Sequence, residues 1–142
     1  MKPRQLDLPQ LITILIDEHA ISMAKLSRIH NHLLSSDLHR ASEILDELKK
    51  NISQHIVDEE ATILRKALDM FGKEGSKDLI EVFKEHRRIF DLFDRLSRTL
   101  EECYQDADLF KEIRRVLSDH YRKEEDELFP KVLRRYIDKR TR

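Results

Sequence analysis

Apolar residues recur along this chain at the three-and-four spacing of one helix face, in four long stretches separated by short polar joints. The first joint is Ser35-Ser36-Asp37, whose small polar side chains compete for the backbone and can N-cap the stretch that follows. The second is Gly72-Lys73-Glu74-Gly75-Ser76, with Gly72 as a C-cap, Gly75 as a turn residue and Ser76 as the next N-cap. The third, around residues 105–108, offers only Asp caps. The pattern predicts helices over about 8–34, 38–71, 77–103 and 108–138. Pro130 falls inside the last of these, removes a backbone donor, and should bend that helix past Phe129.

Each predicted helix carries one seam. The first runs Leu8, Ile12, Leu15, His19, Leu26, Ile29, Leu33, and the second Ala41, Leu45, Leu48, Ile52, His55, Glu59, Ile63. The third runs Leu79, Phe83, His86, Ile89 or Phe90, Phe93, Leu96, Leu100, and the fourth Ile113, Leu117, His120, Glu124, Leu128, Val132. Long helices joined by short loops run antiparallel to their sequence neighbours. The expected fold is therefore all-α, an up-down-up-down antiparallel four-helix bundle forming one domain over 1–142.

Composition agrees and narrows the function. The chain of 142 residues holds only two Gly and three Pro, too few turn signals for a β-sandwich or barrel. With 27 Lys plus Arg against 28 Asp plus Glu the net charge is −1, so there is no global basic field for nucleic acid or an anionic membrane. The longest apolar run, Leu11 to Ile16, falls far short of the roughly 20 residues that span a bilayer. A single cysteine, Cys103, excludes a disulfide framework and a Cys-rich zinc site and fits a reducing, cytoplasmic setting. That thiol reads as inert.

Polar residues interrupt the seams at corresponding places: His19, His55, His86 and His120, with Glu59 and Glu124 four residues after two of them and hence on the same face. In an antiparallel hairpin, residues equidistant from the turn lie level. The midpoint of 19 and 55 is 37, inside the first joint; 86 against 55 and 59 centres at or beside the second; and 86 against 120 centres at 103, just before the third. All six groups fall at one height. An internal repeat reinforces this, with Glu-His at 18–19 and 85–86 and His-x3-Glu-Glu at 55–60 and 120–125, offset by 67 and 65 residues. Two hairpins related by a pseudo-twofold would form a cage of four imidazoles and two carboxylates. With no Lys or Arg in the inner seam at that height, the buried carboxylates want a cation.

The remaining candidates read as ordinary. His30, His32 and His39 are taken as solvated or structural, and Glu60 and Glu125 as surface groups with a possible supporting role to a ligand. Tyr104 and Tyr121 read as amphipathic surface residues, with electron relay open to either if it lies near the metal. Lys131, Arg134, Arg135, Lys139, Arg140 and Arg142 read as solvated cations complementing a helix C-terminus, with an acidic protein partner as the alternative.

On His19, His55-x3-Glu59, His86 and His120-x3-Glu124 the sequence resembles the hemerythrin-like family, the HHE cation-binding domains, in order and spacing over nearly the whole chain. The stretches His55-Ile-Val-Asp-Glu-Glu and His120-Tyr-Arg-Lys-Glu-Glu-Asp-Glu-Leu-Phe-Pro are especially close. The resemblance implies a non-haem di-iron centre, two iron ions with His19, His55, His86 and His120 as terminal ligands and Glu59 and Glu124 as bridges. Zinc or manganese could substitute, since imidazole and carboxylate accept them. The resemblance also implies a small diatomic or peroxide ligand: oxygen, nitric oxide or peroxide, bound or sensed, or turned over by an enzyme. A metal-stabilised interaction module is a further alternative. The resemblance departs at Val82, where the oxygen-carrying hemerythrins have a further histidine, which leaves more open metal positions and argues against reversible oxygen carriage. The iron-sulfur repair members of the family resemble this core better, but they carry an extra N-terminal cysteine-bearing segment. Ferritin-like bundles, with ExxH motifs and more carboxylates, do not fit.

Overall fold

The computed structural model describes residues 1–103 and 106–141, with Arg140 and Thr141 described by backbone alone. These residues form four helices and no strand. Helix α1 is Leu8–Leu34. Helix α2 covers 38–75 as Leu38–Asp58, a π-helical turn Glu59–Ile63, and Leu64–Gly75. Helix α3 comprises Lys77–Phe83 and Glu85–Glu101. Helix α4 comprises Ala107–Lys123, a second π-helical turn Glu124–Leu128, and Phe129–Thr141. Each helix packs on its sequence neighbour, and α1 also packs on α4, closing the bundle.

The boundaries follow local chemistry. Asp7, Asp37 and Asp106 cap α1, α2 and α4, accepting from the backbone N–H of Gln10, Arg40 and Leu109 at 2.9, 3.1 and 2.9 Å. In the first joint Ser36 takes φ 58°, and the N–H of Asp37 donates to the His32 carbonyl at 2.8 Å. A serine thus occupies the left-handed place that glycine usually fills at a helix end. Gly72, expected as a C-cap, instead lies inside the last stretch of α2 at φ 72°, where the helix kinks. Gly75 is required for a different reason, because a Cβ there would stand 2.7 Å from the Cβ of Phe71. Ser76 departs from expectation: it sits at the cap position of α3, but its hydroxyl makes no capping bond and is buried without a partner.

Every seam residue named from the sequence is buried except Phe90; Ile89 is the buried member of that pair, and Leu92 joins Phe93 in the core. The core is split in two. A large apolar layer, including Leu26, Leu48, Phe93 and Leu117, fills the end nearest the first and third joints. A smaller one, including Leu11, Ile63, Leu128 and Phe129, fills the other end. The polar seam residues separate them. Among the described residues no helix is long and apolar enough to cross a membrane.

Candidate metal centre

Helices α1 to α4 bring all six seam residues together. His19, His55, His86 and His120 are 1–4% exposed, and Glu59 and Glu124 are fully buried. Each glutamate faces one imidazole of its own helix and one of another. Glu59 Oε1 lies 3.5 Å from His55 Nε2 and 3.2 Å from His86 Nε2. Glu124 lies 3.5 Å from His120 Nε2 through Oε2 and 3.1 Å from His19 Nε2 through Oε1. Two overlapping groups result, His19-His55-Glu59-Glu124 and His86-His120-Glu59-Glu124, with ligand atoms within 4.8 Å of one another in each.

These residues fit a cation by their own bonding. Among the described residues, neither oxygen of Glu59 or of Glu124 has a hydrogen-bond partner, and both ring nitrogens of His86 are likewise without one. A fully buried carboxylate with no donor is costly unless a cation meets it. His19 Nε2 and His55 Nε2 face each other at 3.2 Å. Two nitrogens each about 2.1 Å from one metal lie about 3.0–3.4 Å apart for angles between octahedral and tetrahedral.

The π-turns place the glutamates. A step of four residues overshoots a helix turn by about 40°, so the seam positions 55, 59, 63 and 67 would drift by about 120° on a regular α-helix. The turn Glu59–Ile63 absorbs one residue, with the Leu64 N–H donating to the Glu59 carbonyl. The steps 120, 124, 128 and 132 in α4 are matched by the turn Glu124–Leu128, where the Phe129 N–H donates to the Glu124 carbonyl. Expectation placed the irregularity of α4 past Phe129 because of Pro130. It lies before Phe129 instead, and α2 has the same turn with Arg65 at the related position. The seam, rather than the proline, accounts for it. Pro130 then occupies the one region of α4 where the backbone ladder is already shifted.

A ring of outer carboxylates backs the histidines. His55 Nδ1 donates to Glu18 at 3.1 Å, His120 Nδ1 to Glu85 at 3.1 Å, and His19 Nδ1 to Glu125 at 3.0 Å. His86 Nδ1 is 3.7 Å from Glu60, beyond hydrogen-bond reach. Glu60 and Glu125 thus face the site from the surface, with Glu125 taking the supporting role. Glu18 and Glu85 were missed as partners although the repeated Glu-His pair contains both. Arg4, also missed, grips the α1–α2 side: its side chain meets Asp58 at 2.6 Å and Glu18 at 2.8 Å, and its backbone N–H donates to Asp58 at 2.7 Å.

Charge follows this geometry. For His19, burial and then the charge of His55 push the imidazole down to about 3. Burial also pulls on His55, but the charge of Glu59 and the bond to Glu18 outweigh it and raise His55 to about 9. Against its complete burial, Glu59 is held well below the usual carboxylate range by the charge of His55. At neutral pH the metal-free pair His19–His55 therefore carries one positive charge, on His55.

Tyr121 corrects the surface reading. It is 5% exposed, and its ring stacks on His19 with centroids 3.9 Å apart and planes at 12°. Burial pushes its phenol well up despite the Ser22 hydrogen bond. Tyr104 lies outside the described residues, as do Arg142 and the side chain of Arg140. The other residues fall away from the site. His39 pairs with Glu43 at 2.8 Å on the surface, His32 lies 3.8 Å from Asp37, and His30 stacks on Phe110. Cys103 is exposed. Lys131, expected in solvent, instead donates to the Gly75 carbonyl at 2.7 Å and pairs with Asp78 at 3.1 Å, tying α4 to the second joint.

Fold and site together define a helical bundle built around a buried His/Glu cluster of the kind that can hold a cation. The second half of the chain carries a family signature for this class: residues 77–141, a little under half of the 142, match the hemerythrin HHE cation binding domain. The matched part is α3 and α4, while α1 and α2 carry the corresponding ligand pattern outside it. No curated protein and no solved structure matches the chain.

Proposed function

We propose that His19, His55, Glu59, His86, His120 and Glu124 ligate a non-haem di-iron centre that binds or senses oxygen, nitric oxide or peroxide in the cytoplasm. The observation that carries this reading is the division of the six residues into two groups sharing both glutamates. One metal would sit in each half, with Glu59 and Glu124 bridging. When bound, two irons supply redox chemistry and open coordination positions for a small molecule. The chain orients the imidazoles through Glu18, Glu85 and Glu125, and its two apolar layers exclude water from above and below. Grooves of about 440 and 520 Å³ reach the outer sides of His19 and His86 respectively, between α1 and α4 and between α2 and α3. Val82, where an oxygen carrier would place its further histidine, packs on the smaller apolar layer. That favours sensing or reaction over reversible carriage. Iron content of protein from iron-replete cells, with visible spectra before and after air and dithionite, tests the reading. About two irons per chain with bridged-iron absorption is expected, and less than one iron without that absorption would overturn it.

Tyr121 supports a second reading, an enzyme that turns over peroxide or nitric oxide, because a buried phenol stacked on a ligand imidazole is placed for electron relay. Peroxide consumption that tracks iron loading, is lost in Glu124→Ala and slows in Tyr121→Phe would support it. Binding without turnover would leave the sensor.

A further inference from the structure

We infer that the two halves hold their cations unequally, and that Arg4, acting through Glu18, makes the His19–His55 half the tighter one. This rests on the two-metal reading above. In the His19–His55 half both outer ring nitrogens donate to carboxylates, at 3.0 and 3.1 Å. In the His86–His120 half only His120 does, at 3.1 Å, and His86 Nδ1 stands 3.7 Å from Glu60 with no hydrogen bond. An outer partner fixes the ring and strengthens its donor nitrogen, and losing one typically weakens metal binding about 10–100-fold.

The carboxylates themselves are also held unequally. Arg4 forks onto both oxygens of Glu18 at 2.8 and 3.2 Å, and Asp58, fully buried, holds Arg4 through its side chain and backbone. A bidentate guanidinium fixes a carboxylate plane in a way an ammonium does not. Arg4 and Asp58 cancel in charge, so Glu18 keeps its full negative charge beside His55. At the position related to Asp58 by the 65-residue offset stands Lys123, which contacts Glu85 at 3.4 Å with side chains 40% and 32% exposed. There an exposed cation offsets the outer carboxylate, and among the described residues no acid pairs with it from behind. Position and charge therefore both favour the first half. Arg4 is a positioning residue: it touches no ligand and acts through Glu18.

Loading the metal-free full chain with cobalt(II) and following its visible absorption after excess chelator tests this. Wild type should take up two equivalents and release them in two equal phases at least about 10-fold apart. Glu18→Gln should speed the slow phase about 10-fold and leave the fast one, whereas Glu85→Gln should affect only the fast phase. Arg4→Ala alone strands the buried Asp58, so the paired variant Arg4→Gln with Asp58→Asn is used, checked for helix content by circular dichroism. It should speed only the slow phase, and Arg4→Lys should fall between it and wild type. A single phase for both equivalents, or both phases changing alike in Glu18→Gln and the paired variant, would overturn the inference while leaving the two-metal reading intact. Failure of wild type to take up cobalt would overturn both.

Discussion

The apolar layers on either side of the ligands differ in what they can do alone. The larger contains 20 buried residues contributed by all four helices, including Phe93, Phe110 and Tyr121. Among the described residues the smaller contains 11, and three of them, Ile63, Leu128 and Phe129, lie in or directly after the π-turns that carry Glu59 and Glu124. Burial stabilises at roughly 25 cal/mol per Å² of apolar surface, so the larger layer supplies most of the driving force for folding. On the proposed reading, the smaller would depend on backbone that a bound cation holds in place, so that one end of the bundle would be built by packing and the other by packing and metal together.

The largest expected effect follows from the larger layer. Phe93→Ala should cost about 3–5 kcal/mol, equally with and without metal, because Phe93 is 1% exposed and belongs to the larger layer, apart from the residues of the π-turns. Phe129→Ala should cost a similar amount in loaded protein but distinctly less in metal-free protein, where its layer is already loosened. Phe129 is 1% exposed, and its ring centroid lies 6.0 Å from that of His19. Denaturant unfolding of both variants in both states measures this. Equal costs for Phe129→Ala with and without metal would break the comparison.

Next in size is the metal itself. A cation that binds only the folded state stabilises by about 2.7 kcal/mol at a hundredfold excess over Kd. Thermal melting should show that increment in wild type, and amide exchange should show the metal-free protein opening first at Ile63, Leu128 and Val132. Glu59→Ala or Glu124→Ala should abolish most of the increment. His39→Ala, at a residue 88% exposed and paired with Glu43, should leave it within about 0.5 kcal/mol. Identical melting of loaded and metal-free wild type, with loading confirmed, would show that the six residues do not act as a cage.

Much of this is legible in the sequence. Helix periodicity and caps located the four helices, and the arithmetic of the joints put six ionisable residues level, where they are found. The π-turns left a trace that periodicity alone does not interpret: successive steps of four at 55–59–63–67 and 120–124–128–132, too many for one face of a regular helix. Glu18 and Glu85 were present in the repeat but are partly exposed, so the rule that picks out buried polar residues passed over them. Tyr121 was misread because a bundle helix buries a face wider than a single seam line. Arg4 had no signal, since it precedes α1 in an irregular stretch with no period to read. Patterns report what lies along one helix, whereas partners such as Arg4 are set by how distant segments meet.

The smallest effect expected, at most about 1.4 kcal/mol for each pH unit, sharpens the dependence of the second end on metal. His55 is raised to about 9 from an ordinary 6.5, so its contribution to metal-free stability is full below pH 6.5 and is lost as pH rises through about 9. His19, lowered to about 3 by burial, and His120, also lowered by burial, act with the opposite sign. Their contribution grows as pH rises toward 6.5 and is complete there, so neither alters the trend above it. Glu59, held below its ordinary value, loses its contribution only as pH falls into the acid range. Between pH 6.5 and 9 the metal-free protein should therefore weaken while the loaded protein, whose His55 Nε2 carries metal in place of the proton, should not. The same proton competes with the cation, so metal affinity should rise by at most about tenfold, or 1.4 kcal/mol, per pH unit while His55 remains protonated. Melting of both forms at half-unit steps measures the gap, which should widen toward pH 9 and flatten above it. A gap that stays constant across that window would mean that the proton on His55 is not what the metal displaces, and Glu18→Gln, which removes the charge that helps hold that proton, should shift the widening to lower pH.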